Sequence, residues 1–161
     1  MRRIAGTGVA VAVLLGMIGA VSIASAAPKS TPDITTAKTL RFDVVFSPFF
    51  FLDLGQKDLS KGDETVFHDQ LFTHGKRVGD DGGSCTVVDL PRTPTAPIPV
   101  NCTVSFRLPG GQITTQGFTS SAATKHLAVT GGTGIYQNVR GQATLVEFGD
   151  GTGSVTFHLI P

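Results

Sequence analysis

The chain has 161 residues, with thirteen Lys or Arg against twelve Asp or Glu and a formal net charge of +1. So even a balance lacks the basic footprint that nucleic acids and anionic membrane surfaces attract, and neither is expected as a partner. Twenty glycines and nine prolines point to a chain that turns often.

Arg2 and Arg3 precede an almost unbroken apolar run over 4–23, and Ala24-Ser25-Ala26 supplies a small-x-small cleavage site. This is the pattern of an export signal, residues 1–26, cut after Ala26. The rival reading is a retained membrane anchor, since the run is nearly long enough to span a bilayer. Cleavage leaves 135 residues with eleven basic and twelve acidic side chains, the size of one compact domain. The expected location is extracellular, with no membrane contact once the signal is removed.

Residues 27–38 are polar and proline-bearing and read as a flexible leader to a domain over 39–161. Short apolar or alternating runs then follow at 39–46, 64–73, 84–90, 100–108, 112–119, 126–130, 142–148 and 154–160. The breaks between them include Gly79-Asp80-Asp81-Gly82-Gly83, Pro109-Gly110-Gly111 and Gly149-Asp150-Gly151-Thr152-Gly153, each read as a turn. No window carries a helical period. Eight strands in one small domain suggest an all-β sandwich or closed antiparallel barrel, and closure removes the exposed edges on which sheets aggregate. An eight-stranded barrel is wide enough to hold side chains or one small ligand.

Cys85 and Cys102 lie in two strand-like runs separated by the proline-rich 91–99. Pairing these runs as a hairpin sets Cys85 opposite Cys102 and Val87 opposite Val100, the arrangement of a disulfide suited to an oxidising compartment. The rival is a reactive thiol or metal ligand, but no further Cys or His stands at zinc-site spacing. Other motif scans are negative. Gly132-Thr133-Gly134 lacks the third glycine of a dinucleotide loop, no phosphate loop or serine elbow is present, and His68, His74, His126 and His158 are not spaced as metal ligands. No metal or cofactor is expected.

His126-Leu127-Ala128-Val129-Thr130-Gly131-Gly132-Thr133-Gly134-Ile135-Tyr136, followed by Gly141-Gln142-Ala143-Thr144-Leu145, resembles the signature of the allene oxide cyclase and dirigent barrel superfamily. Asp69-Gln70-Leu71-Phe72, Lys76-Arg77-Val78-Gly79 and the two cysteine-bearing runs are similar to its preceding strands, in matching order. The resemblance implies an eight-stranded antiparallel barrel with an apolar cavity, often assembled as a homotrimer. Its cyclases ring-close a fatty-acid epoxide, and its dirigent proteins steer radical or quinone-methide coupling. Both act chiefly by holding a reactive molecule in one conformation. The implied function is to bind a small apolar molecule and direct its cyclisation or isomerisation without a cofactor. The alternative is a non-catalytic secreted binding or structural barrel, since fold alone does not establish chemistry.

Two aspartates are candidates for polar work. Alternation along 40–46 places Arg41, Asp43 and Val45 on one face, and Asp43 falls near a carboxylate that the plant cyclases use to stabilise cationic character. A carboxylate facing an apolar cavity is costly unless partnered or functional; the other reading of Asp43 is a solvated or ion-paired residue. Asp69 falls near a polar residue that contacts the reacting oxygen in the cyclases, and could act as a general acid. The adjacent His68 points to the opposite face. Ser47 and Pro48 resemble a pair near the cyclase cavity mouth, whereas Val45 stands where the plant enzymes hold a water-binding asparagine. Tyr136 could hydrogen-bond a ligand or pack beside the glycine turn. Arg140 could pair with an interior carboxylate or cap a turn. The apolar cluster Phe49-Phe50-Phe51-Leu52 could close the mouth, join subunits or meet a ligand.

Overall fold

A computed structural model describes residues 36–160, so the expected export signal and nearly all of the expected leader lie outside the described residues. Nine strands follow in order: β1 Lys38–Val45, β2 Phe50–Leu52, β3 Glu64–Thr73, β4 Lys76–Val87, β5 Pro99–Leu108, β6 Gly111–Ser120, β7 Thr124–Gly132, β8 Arg140–Glu147 and β9 Thr152–Ile160. Among the described residues the only helical element is the single 3-10 turn Gly134–Tyr136. Every strand pairing is antiparallel. The sheet runs β1-β9-β8-β7-β6-β5-β4-β3 and closes by pairing β1 with β3, giving an eight-stranded barrel with β2 added along part of β3.

Period-two alternation decides which side chains face inward. In β5, Val100, Cys102, Val104, Phe106 and Leu108 are buried, while Thr103, Ser105 and Arg107 are exposed. In β9, Val155, Phe157 and Leu159 are buried. Phe157 meets the edge of Phe106 at 4.9 Å and of Phe42 at 6.2 Å between ring centroids. Edge-to-face pairs add about 0.5–1.5 kcal/mol each beyond the area they bury.

One end of the barrel is filled by the glycine-rich segment after β7. Thr133 N donates to Gln112 O at 2.9 Å, and Ile135 N donates to Gly110 O at 3.0 Å. Both bonds dock the segment onto the β5–β6 turn, and Tyr136 and Val139 enter the core there. At Gly141 the chain takes φ +137°, and a Cβ would sit 1.9 Å from the His158 carbonyl oxygen of β9. Only glycine permits so close an approach of two backbones.

The Gly79–Gly83 run, read from sequence as a turn, lies instead within β4. The turn is at His74-Gly75, where φ is +51° and +72°. The glycines in β4 serve close packing between neighbouring strands: a Cβ on Gly83 would lie 2.4 Å from the Thr103 carbonyl oxygen. The phenylalanine cluster contributes the short strand β2, which was not among the runs read as strands.

Cys85 and Cys102 are register partners across β4 and β5, as are Val87 and Val100, and the two cysteines form a disulfide. Closing a loop with 17 residues of sequence separation is expected to contribute about 3 kcal/mol. A Cys85→Ser/Cys102→Ser variant should unfold at lower urea than the oxidised protein, by about that free energy. Full reductant should bring the unaltered protein to nearly the same midpoint. Equal midpoints for the variant and the oxidised protein would show that the bridge does not form.

Candidate functional site

The end of the barrel opposite the glycine-rich plug is hollow. The cavity there measures about 580 Å³ and is walled mainly by apolar side chains, among them Phe67, Val87, Val104, Phe106, Leu127 and Leu145. The disulfide forms part of the wall, and Phe49, Phe51 and Leu59 stand at the mouth. Asp63 anchors the segment that carries this rim: its carboxylate accepts from Leu54 N, Gly55 N and Ser60 N at 3.0, 3.1 and 2.6 Å. Those bonds outweigh burial and hold the Asp63 carboxyl below the ordinary range. Phe50, on the outer side of β2, is 73% exposed.

Four ionisable groups line this cavity. Asp69 on β3 and Asp81 on β4 are Cα register partners. Opposed residues of an antiparallel pair bring their Cβ atoms within about 5 Å of each other. Each residue is only 4% exposed. The 74–75 turn alone would set Asp69 against Asp80; a bulge between Leu71 and Phe72, with Val78 as the extra residue of β4, shifts the register by one and creates the carboxyl pair. Asp69 Oδ1 accepts from Ser47 N at 2.8 Å, whereas Asp81 Oδ1 is buried with no hydrogen-bond partner. Burial, then the nearby Asp69 charge, pushes the Asp81 carboxyl up to about 7. Burial also raises Asp69, against the bond from Ser47. Two like charges so placed resist ionising together, and near neutral pH the pair holds one acid and one base.

The other two groups neutralise each other nearer the mouth. Lys125 of β7 donates to Glu147 of β8 and, at 2.8 Å, to the Ala122 carbonyl oxygen. On the outer surface the charge pattern reverses. Asp80, adjacent in sequence to Asp81, accepts from Arg107 Nε at 2.8 Å and is held below its ordinary value mainly by that guanidinium. Arg77 and the exposed His68 approach the same carboxylate at 3.3 Å and 3.8 Å. Neighbouring aspartates thus behave oppositely because alternation sends one out to arginines and the other in to an apolar wall.

The sequence-predicted residues divide sharply. Asp69 and Ser47 line the cavity, and Ser47 supplies the backbone donor to Asp69. Pro48 is exposed beside Ser47 and does not line the cavity. Asp43 is exposed on the outer face of β1 because its neighbour Val44, on the opposite face, is the one that turns inward, so Asp43 has no access to the cavity. Tyr136 is buried in the plugged end, and its hydroxyl donates to Pro109 O at 3.2 Å. Arg140 is exposed at the start of β8, away from the cavity lining. Asp81, Lys125 and Glu147 were not singled out from sequence. Counting back by twos from Cys85 would have put Asp81 on the disulfide's face, had the glycines beside it not been read as a turn. No group of three or more His, Cys, Asp or Glu able to hold a metal ion occurs among the described residues.

Comparison with known proteins gives the geometry a family. Residues 49–155 match the allene oxide cyclase barrel like domain. The structure titled pyocyanin demethylase is 30% identical, covers 76% of this chain and 100% of its own, and superposes with a TM-score of 0.69. The Diels Alderase AbmU from Streptomyces koyangensis is 12% identical over 78% of this chain and 70% of its own, with a TM-score of 0.57. A pterocarpan synthase dirigent protein is 20% identical over 76% and 92%, with a TM-score of 0.51, and these two more distant likenesses concern the fold alone. No curated protein matches by sequence. With two-thirds of its length matched, and a 30% identical relative spanned end to end, the chain belongs to the allene oxide cyclase-like barrel family.

Proposed function

We propose that the barrel admits a small apolar molecule through its mouth and directs its isomerisation or cyclisation, with Asp81 as proton donor and Asp69 as proton acceptor. The observation that carries this reading is the pair of buried carboxyls in a cavity walled mainly by apolar side chains. A proton given by Asp81 to one atom of the ligand and one taken by Asp69 from another leaves its composition unchanged, as an isomerase without a cofactor requires. Poised near neutrality, the pair suits general acid–base catalysis, and the walls hold the ligand in one folded conformation. The 30% identical pyocyanin demethylase supports a small molecule as the occupant. The disulfide supports passage through an oxidising compartment, in keeping with export.

The test is displacement of a fluorescent apolar probe from the purified protein by a panel of lipophilic epoxides, polyenes and quinone methides. Ligands that bind are then incubated and analysed for products of unchanged mass. Asp69→Asn and Asp81→Asn are each expected to slow turnover about 10²–10⁴-fold. Failure of the whole panel to displace the probe would sink the binding reading. Turnover unaffected by either substitution, or none above the uncatalysed rate, would leave a binding barrel without chemistry.

A further inference from the structure

We propose that the inner end of the cavity selects ligands by charge: it takes an apolar molecule bearing one protonated amine or ring nitrogen, placed against Asp81, and rejects carboxylates. This rests on the reading that the cavity binds a small apolar molecule, and adds the chemical class of that ligand.

Three observations lead there. The first is the inventory of charge. The ionisable groups lining the cavity are Asp69, Asp81, Glu147 and Lys125. Lys125 already donates to Glu147 and to the Ala122 carbonyl oxygen, so the lining offers no free cation to a ligand anion. The second is the unmet acceptor. Asp81 Oδ1 is the one buried side-chain oxygen or nitrogen without a hydrogen-bond partner among the described residues. Such atoms are rare in folded proteins and ordinarily mark a place where something binds. The third is that the cations outside are engaged elsewhere, with only a coulombic pull from His68 reaching Asp69. Arg107 and Arg77 are committed to Asp80 on the outer face, and His68 points outward beside them.

These groups make the pair electrostatically incomplete. A carboxylate ligand would add a third acid beside two that already oppose each other, in a wall that cannot solvate it. A cation offers the reverse: its N–H fills the empty position on Asp81 Oδ1, and its charge lets both aspartates ionise together. The proton that Asp81 held then leaves for solvent, and in a complex with such a cation the acid beside Asp69 is the ligand's own N–H, held by Asp81. Lys125 and Glu147, paired near the mouth, leave room for the apolar body of the ligand.

Three probes of one shape separate the possibilities: 2-naphthylmethylamine, 2-methylnaphthalene and 2-naphthoic acid. Each is titrated into the protein by calorimetry at pH 7 in two buffers of different ionisation enthalpy. The amine is expected to bind about tenfold or more tighter than 2-methylnaphthalene, and the acid about tenfold or more weaker. Amine binding should release about half a proton, the share Asp81 holds at that pH. Asp81→Asn, checked for folding by circular dichroism, should abolish the proton release and narrow the gap between amine and hydrocarbon to about threefold. Asp69→Asn should reduce the release without abolishing the amine preference. Equal affinity for amine and acid, or an undiminished preference in Asp81→Asn, would overturn charge selection while leaving an apolar binding cavity intact. Binding by none of the three would remove the cavity reading and this proposal together.

Discussion

Replacing Asp81 with Asn is expected to stabilise the protein by about 2–3 kcal/mol at pH 8, raising the midpoint of thermal unfolding by about 10 °C. The direction follows from linkage. The Asp81 carboxyl lies at about 7 in the folded protein against an ordinary 3.8, so between those values the native state holds a proton that the unfolded chain has released. Stability from this group is complete below pH 4 and falls as pH rises, at about 1.4 kcal/mol per unit and to a limit of about 4 kcal/mol above pH 7. Asp69 is raised too and acts in the same sense. Asn cannot ionise, so its stability should stay nearly flat over that window; the unpartnered position it inherits trims the gain. The carboxyls of Asp63, Asp80, Asp89 and Asp150 are lowered, and their contributions are lost only as pH falls below about 4, outside the window. Urea unfolding of both proteins at half-unit steps from pH 4 to pH 8 measures the difference. Parallel profiles would mean that Asp81 is not a raised acid. A residue that costs stability at neutral pH yet occupies the cavity fits a site kept for chemistry rather than for folding.

Gly141→Ala should lie at the other extreme, with a loss of at least about 3 kcal/mol and a lowered yield of folded protein. Two costs combine. At φ +137° an alanine is strained wherever it stands, and its Cβ would meet the His158 carbonyl oxygen at 1.9 Å within the β8–β9 ladder. Neither atom is the end of a flexible side chain, so relief requires the two strands to part. Gly149 provides the control, with φ +84° in the exposed β8–β9 turn and no atom within 4 Å of an added Cβ. Gly149→Ala should therefore lose only the conformational cost, about 1–2 kcal/mol. Matching unfolding midpoints for the two variants would show that close strand packing at Gly141 is not what its glycine serves.

Most of the barrel was legible because it follows from local rules. The spans over 100–108 and 154–160 and the bounds of β3 follow from the run of apolar and turn residues, and the Cys85–Cys102 pairing from hairpin arithmetic. The glycine-rich signature pointed to the barrel family through a backbone geometry that few residues can adopt. Reading failed where one residue type serves two purposes. Glycines at 79–83 look like a turn in one dimension, yet in a tightly closed sheet they allow neighbouring strands to approach, and the mistake hid Asp81. Asp43 shows a second limit: alternation groups side chains by face without saying which face is inside, and closure turned Val44 inward and Asp43 to solvent.

The amino-acid sequence by itself determined most of the strands, the β4–β5 register with its disulfide, and the barrel family, because each depends on residues near one another along the chain or on a single pairing. Tertiary structure alone decided where the barrel is hollow and which acids face that space. Those properties depend on which side chains fill each layer of eight converging strands: Tyr136, Val139 and Ile113 crowd one end, while at the other Asp69 and Asp81 share an apolar cavity with only Lys125 and Glu147 as charged company. The raised acidity of the pair is a property of that enclosure and appears in neither residue alone.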